Sequence, residues 1–299
     1  MSTFHGPSRD WHRCQAPTNT ERFTTPRRQN LKGNARKPPV MTPSQTNTLE
    51  VLFTPADFTA LKQRELSGTV CVVFDILRAT SSMVTALANG AAAIIPVEEI
   101  PEALALRRQQ PGLLLAGERE GVRIPASLTG SIGFDLGNSP REFTPERVSG
   151  RTIAMTTTNG TRALRACAPA KTVLIGSFLN LSATAKFIAS APAGRLLLVC
   201  SGTHGQAACE DVLAAGALCD LIWPAYADGA VADSARMARE LFRLAQADLP
   251  AALGQSRNGR RLLGLADLSP DVAYCAQRDL LPFLAELGKD GLIRKRDIA

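Results

Sequence analysis

Histidine is scarce in this sequence: three in 299 residues, and beyond residue 12 only His204. That scarcity excludes zinc centres and proton relays built from several imidazoles. No CxxC pair occurs among the seven cysteines, which removes a thiolate zinc site as well. Their odd number and scatter through apolar segments are unlike the disulfide framework of a small secreted fold, so a reducing, cytoplasmic setting is expected. No apolar run approaches the ~18 residues a bilayer requires, and the N-terminus lacks the apolar core of a secretory signal, so no membrane partner is expected. Neither G-x-G-x-x-G after the first strand nor a GK[ST] element is present, against a nucleotide-binding Rossmann protein or a P-loop enzyme.

What is present is 45% hydrophobic and 20% charged, ample for a packed core and incompatible with a disordered or fibrous chain. The net charge of +7 is unevenly placed. Residues 1–48 hold eight Lys/Arg against two acids, so this stretch supplies +6 and leaves +1 for residues 49–299. A nucleic-acid binder should carry its basic stripe on the folded domain, so no nucleic-acid partner is expected. Residues 1–48 read as a disordered basic tail; a transit peptide, or an extension upstream of a start at Met41, are the other readings of that composition.

From Leu49 onward, short β-branched runs alternate with Ala/Leu-rich stretches of helical period, the pattern of α/β layers around a largely parallel or mixed sheet. Strands are expected at Thr69–Phe74, Ala92–Val97, Leu113–Ala116, Thr152–Met155, Val173–Ile175 and Leu196–Cys200, and helices at about Thr80–Asn89, after Gly160 and from about Ala208 to Ile222. The Gly-rich stretch from Gly117 to Gly150 reads as a functional loop. Beyond Asp228 the chain looks mostly helical, with a turn at Gly254–Gly259 and a short closing segment near Leu292. In open α/β sheets ligands gather beyond the carboxyl ends of strands, where three polar loops should converge here.

Four constellations occupy such loops. Asp75-Ile-Leu-Arg78-Ala-Thr80-Ser81-Ser82 puts an acid after a buried strand and a guanidinium three residues later, suited to Mg²⁺ and an anion together; it also reads as a turn closed by Asp75 and a helix capped by Thr80 or Ser81. Thr156-Thr157-Thr158-Asn159-Gly160-Thr161-Arg162 offers a phosphate short donors and a helix start, or is an Asn-Gly turn with threonine caps. Glu210 and Asp211 open a helix, where its dipole favours carboxylates in any case. Glu118 with Arg119, and Asp135, sit among glycines that let backbone approach a ligand. A haloacid-dehalogenase site is excluded, because Leu77 stands where its second aspartate is needed.

At these same residues the chain resembles the 2-phosphosulfolactate phosphatase family, Mg²⁺-dependent enzymes associated with coenzyme M biosynthesis. The matching stretches are VVFDILRATSSMVTALANGA, LLAGEREG, GFDLGNSP, TTTNGTRAL, VLIGSFLN and CSGTHG…EDVLAAGAL, in family order between about Val51 and Ile222. The resemblance implies a three-layer α/β/α fold, a phosphatase domain over 49–299, and hydrolysis of (R)-2-phospho-3-sulfolactate to 3-sulfolactate and phosphate. On this reading Asp75 and Arg78 are catalytic. Arg119, Thr157, Thr158, Asn159, Gly160, Thr161 and Arg162 bind substrate. Asp75, Glu118, Asp135, Glu210 and Asp211 supply Mg²⁺ ligands. The nucleophile is water or the Asp75 carboxylate. Another small phosphorylated hydroxy acid as substrate, and a non-catalytic binder of phosphorylated metabolites, are the alternatives. Self-association through the Ala-rich helices is left open.

Overall fold

The computed structural model describes residues 47–190 and 194–296, so the expected basic tail falls, but for its last two residues, outside the described chain. Among the described residues eleven strands form one sheet: β1 (Thr48–Leu52), β2 (Thr69–Phe74), β3 (Ala93–Val97), β4 (Leu114–Arg119), β5 (Val122–Arg123), β6 (Thr152–Thr156), β7 (Thr172–Gly176), β8 (Arg195–Cys200), β9 (Ala230–Val231), β10 (Leu284–Leu287) and β11 (Ile293–Arg296). Their spatial order is β5-β4-β6-β3-β11-β10-β7-β2-β8-β1-β9. Two parallel blocks, β4-β6-β3 and β7-β2-β8-β1-β9, are joined by the antiparallel β10–β11 hairpin. The segment expected only to close the chain near Leu292 is therefore the bridge at the middle of the sheet, contacting β3 through Ile293 and β7 through Glu286.

Between the strands run α1 (Pro55–Thr59), α2 (Ala79–Ala88), α3 (Ile100–Gln109), α4 (Ala126–Thr129), α5 (Pro145–Val148), α6 (Gly160–Cys167), α7 (Leu181–Ser190), α8 (Cys209–Tyr226), α9 (Asp233–Ala245), α10 (Leu249–Gln255), α11 (Arg257–Leu263) and α12 (Pro270–Cys275). Every residue of β2 is buried, as a central strand covered on both faces requires. Its side chains divide by the two-residue period. Val70, Val72 and Phe74 pack with α7 to α12, whereas Cys71 and Val73 pack with α1, α2 and α6. Helices thus lie on both faces of a mixed sheet, the α/β layering the sequence pattern predicts and the three layers the family resemblance implies.

Two expectations are corrected. The stretch after Gly117 is not structureless: β4 continues to Arg119 and turns back on β5, and Leu136 N–H donates to the Leu115 carbonyl. The turn expected at Gly254–Gly259 is confined to Ser256, whose hydroxyl accepts from Gly259 N–H and starts α11. No helix among the described residues is long and apolar enough to cross a membrane.

Candidate active site

Asp75 follows immediately on β2, at the carboxyl edge of the sheet. Its Oδ1 accepts from Ala79 N–H at 3.1 Å, and Thr80 Oγ1 lies 3.0 Å from both the Asp75 N–H and its carbonyl. The turn-closing reading of Asp75 is therefore true, and the same side chain also lines a small pocket. Both follow from one cause: a carboxylate that caps the first turn of α2 from below must sit where the helix N-terminus meets the strand end. The first residue of α6 completes the fit. A side chain at Gly160 would meet Asp75 Oδ2 and the Ala79 Cβ at 2.7 Å, so only glycine lets α6 approach.

The pocket, about 70 Å³, is walled by Asp75, Arg78, Glu118, Asn138, Thr158 and Asn159, with Asn258 and Arg261 from α11 closing it. Glu118 is buried and organises two walls. Its Oε1 accepts from Thr158 N–H and Oγ1, both at 2.9 Å, and its Oε2 from Gly121 N–H at 2.7 Å. Arg78, 3% exposed, donates from Nη1 to Asp271 Oδ2 at 2.6 Å and from Nη2 to the Gly121 carbonyl at 2.8 Å. Asp271 is fully buried and also accepts from Ser139 Oγ and Arg141 Nε.

Behind this wall lies more negative charge. Glu210 is 1% exposed; Asn258 Nδ2 donates to its Oε1 at 2.5 Å, and its Oε2 has no hydrogen-bond partner. Asp211 joins two loops, accepting from Ile76 N–H at 2.8 Å on one oxygen and from Gly202 N–H and Ser201 Oγ on the other. Burial, with the charges of Glu118 and Glu210 adding to it, pushes the Asp75 carboxyl up to about 6. Burial raises Asp211 well above the usual carboxylate range, reinforced by Asp75 and Glu210. An acid-rich pocket of this kind binds protons or cations.

Some expected site residues lie elsewhere. Asp135 pairs with Arg107 at 2.8 Å and accepts from Leu115 N–H at 2.7 Å, away from the pocket wall, so it fixes the return of the 133–140 loop onto β4. Arg119 turns to Thr156 Oγ1 and the Glu98 and Glu118 carbonyls. Thr157 and Thr161 bond reciprocally, inside the turn. Arg162 is exposed. Of the 156–162 loop, Thr158 and Asn159 line the pocket, with Gly160 packed against Asp75.

A family model described as 2-phosphosulpholactate phosphatase matches residues 57–290. A probable 2-phosphosulfolactate phosphatase of Symbiobacterium thermophilum is 40% identical over 222 residues, covering 74% of this chain and 91% of the relative. A protein of the same description from Caldanaerobacter subterraneus subsp. tengcongensis is 37% identical over 245 residues, covering 81% and 97%. The chain belongs to the 2-phosphosulfolactate phosphatase family.

For a member of this phosphatase family, the cation question turns on donor geometry. Among the described residues no three acidic, histidine or cysteine side chains converge closely enough to enclose an ion unaided. Glu118 and Asp211 each already accept from three donors, and Asp135 is remote. Glu210 Oε2, buried and unpartnered, with Asp75 as its charged neighbour, is the donor set that remains. One or two carboxylates completed by water and substrate oxygens suit Mg²⁺, which dehydrates reluctantly and seldom occupies an all-protein cage.

The phosphatase-family site also contains residues that sequence reasoning missed. Asn258, Arg261 and Asp271 come from α11 and α12, where no motif marks them. Asp271 follows Pro270 and reads merely as the acidic first turn of a helix. His204, exposed and at φ 51°, stands at the pocket rim.

Proposed function

We propose that the chain hydrolyses (R)-2-phospho-3-sulfolactate to 3-sulfolactate and inorganic phosphate, with Mg²⁺, as a cytoplasmic enzyme acting on a small anion. The observation that carries this reading is the juxtaposition in one pocket of Arg78 with Asp75, in front of a buried Glu210 oxygen that no protein donor satisfies. Glu210 Oε2 would hold the ion, with Asp75 beside it. When bound, Mg²⁺ would supply the charge that lets a multiply anionic phosphate ester enter an acid-rich site.

The protein's own groups do the rest. Arg78, fixed on one edge by Asp271 and Gly121, presents its remaining N–H groups to the phosphoryl oxygens. The Thr158–Asn159 turn, held by Glu118, bounds the opposite wall. Water attacks phosphorus in line as the ester P–O bond breaks, and the bonding pair leaves on the C2 oxygen. Asp75 Oδ2, on a carboxyl already lifted to about 6, takes the proton of the attacking water and later gives it up to solvent, while a solvent water on the opposite side protonates the leaving C2 oxygen.

Attack by Asp75 itself is the second reading. It would require another carboxyl placed to protonate the leaving oxygen, and Glu118 and Asp211 are each engaged by three donors. Acid-quench trapping with labelled substrate decides between them: no phosphoenzyme is expected, and one that disappears in Asp75→Asn would transfer the role to Asp75. Phosphate release from 2-phospho-3-sulfolactate tests the activity itself.

A further inference from the structure

A second cavity, about 530 Å³, adjoins the first, and Arg78, Gly121, Asn138 and Leu265 line both. The two differ in charge. Asp75, Glu118 and Glu120 outnumber Arg78 and Arg261 in the first, whereas Arg78, Arg123 and Arg141 outnumber Glu142 and Asp267 in the second. Its guanidiniums are held in place by carboxylates that two of them must share. Asp271 is shared between Arg78 at 2.6 Å and Arg141 at 2.8 Å, and Glu142 between Arg123 at 2.6 Å and Arg147 at 3.9 Å. One carboxylate facing both Arg78 and Arg141 leaves that group of three with a positive charge. Arg141 Nε is engaged by Asp271 and its Nη2 by the Asp267 carbonyl, so Nη1 keeps its donors. At the junction of the cavities stands Asn138, 6% exposed, whose side-chain oxygen has no partner. A buried amide left unsatisfied in a cavity wall points to a polar ligand.

We propose that this second cavity is the subsite for the sulfonate of the substrate, with Arg141 and Arg123 selecting phosphate esters that carry a second strong acid close to the ester carbon. The inference rests on the phosphatase reading above. With the phosphoryl group beside Asp75 and the sulfonate beside Arg141, the molecule straddles Arg78. The C2 oxygen, which becomes a hydroxyl on hydrolysis, then falls near the junction where the Asn138 oxygen lacks a donor. A guanidinium is itself weakly hydrated and forked, and so suits a three-oxygen anion better than an ammonium would.

The test compares kcat/KM for 2-phospho-3-sulfolactate with that for 2-phospholactate, which keeps phosphate and carboxylate but lacks the sulfonate. Wild-type protein should prefer the sulfonated ester. In Arg141→Ala that preference should shrink about tenfold or more, mainly through KM, with a smaller decrease in Arg123→Ala. A preference unchanged in both variants overturns the assignment, whether overall activity falls or not, and Arg123→Ala decides alone should Arg141→Ala fail to fold. Should wild-type protein hydrolyse neither ester, the phosphatase reading fails separately. Calorimetric titration with 3-sulfolactate then decides the subsite: binding to wild type that is lost in the variant supports it, and equal or absent binding overturns it.

Discussion

Arg78 and Asp271 form an enclosed ion pair, Nη1 to Oδ2 at 2.6 Å, between residues 193 positions apart in sequence. Asp271 reaches the site from α12, so the last part of the chain fixes the guanidinium that lines the pocket with Asp75. Asp271→Asn should lower the thermal midpoint by several degrees, since removing one partner leaves a buried charge uncompensated. It should also lower kcat/KM by about tenfold or more through the loosened Arg78. Calorimetric melts and steady-state kinetics check both; wild-type kcat/KM in a folded variant would show that Arg78 does not depend on this pair.

Arg78→Lys keeps the charge but not the fork that reaches Asp271 and the Gly121 carbonyl together. A loss of about a hundredfold in kcat/KM is expected, most of it in kcat. Kinetics within a few-fold of wild type would remove bidentate geometry from the account.

Asp75→Asn should abolish turnover yet leave the melting midpoint unchanged or higher. The wild-type carboxylate is destabilised by burial and by two neighbouring acids, and the amide carries no charge to desolvate. Circular dichroism melts and phosphate release give the two readouts. A large fall in stability would mean that Asp75 serves the fold before the chemistry.

The same shift sets a pH dependence. Asp75 holds its proton more tightly in the folded chain, at about 6 against an ordinary 3.8, so between those values the folded state binds more protons than the unfolded. Stability conferred by this group therefore falls as pH rises through that window, and the deficit is complete above it. Asp211 shifts in the same direction. In EDTA the melting midpoint should be several degrees lower at about pH 7.5 than at about pH 5.5, and Mg²⁺ should restore it at the higher pH. A flat profile in EDTA, or one that Asp75→Asn leaves as steep as in wild type, would contradict the assignment.

Sequence patterning located β2 at its observed bounds and α2 to within a residue at each end, because a buried six-residue run and an Asn89-Gly90 stop are local signals. It also singled out Asp75, Arg78, Glu118 and Thr158, whose loops follow strands and share one sheet edge. It was blind to direction. Asp135 and Arg119 stand among glycines in sequence just as Glu118 does, but which way a side chain turns depends on tertiary partners, here Arg107 and Thr156. Asp271 and Asn258 left no trace, since each acts through a partner more than forty positions away. The β10–β11 hairpin was equally hidden: four-residue strands in the middle of a sheet carry little period of their own.

The central claim is that this pocket cleaves a phosphate ester with the help of a divalent cation held at Glu210 and Asp75. Its most direct measurement is inorganic phosphate released from 2-phospho-3-sulfolactate by EDTA-treated protein, before and after Mg²⁺ is returned, in wild type and Glu210→Gln. Turnover should cease in EDTA, return with Mg²⁺, and need a much higher Mg²⁺ concentration in the variant. Full turnover in EDTA, or a variant that recovers at the wild-type Mg²⁺ concentration, would contradict it.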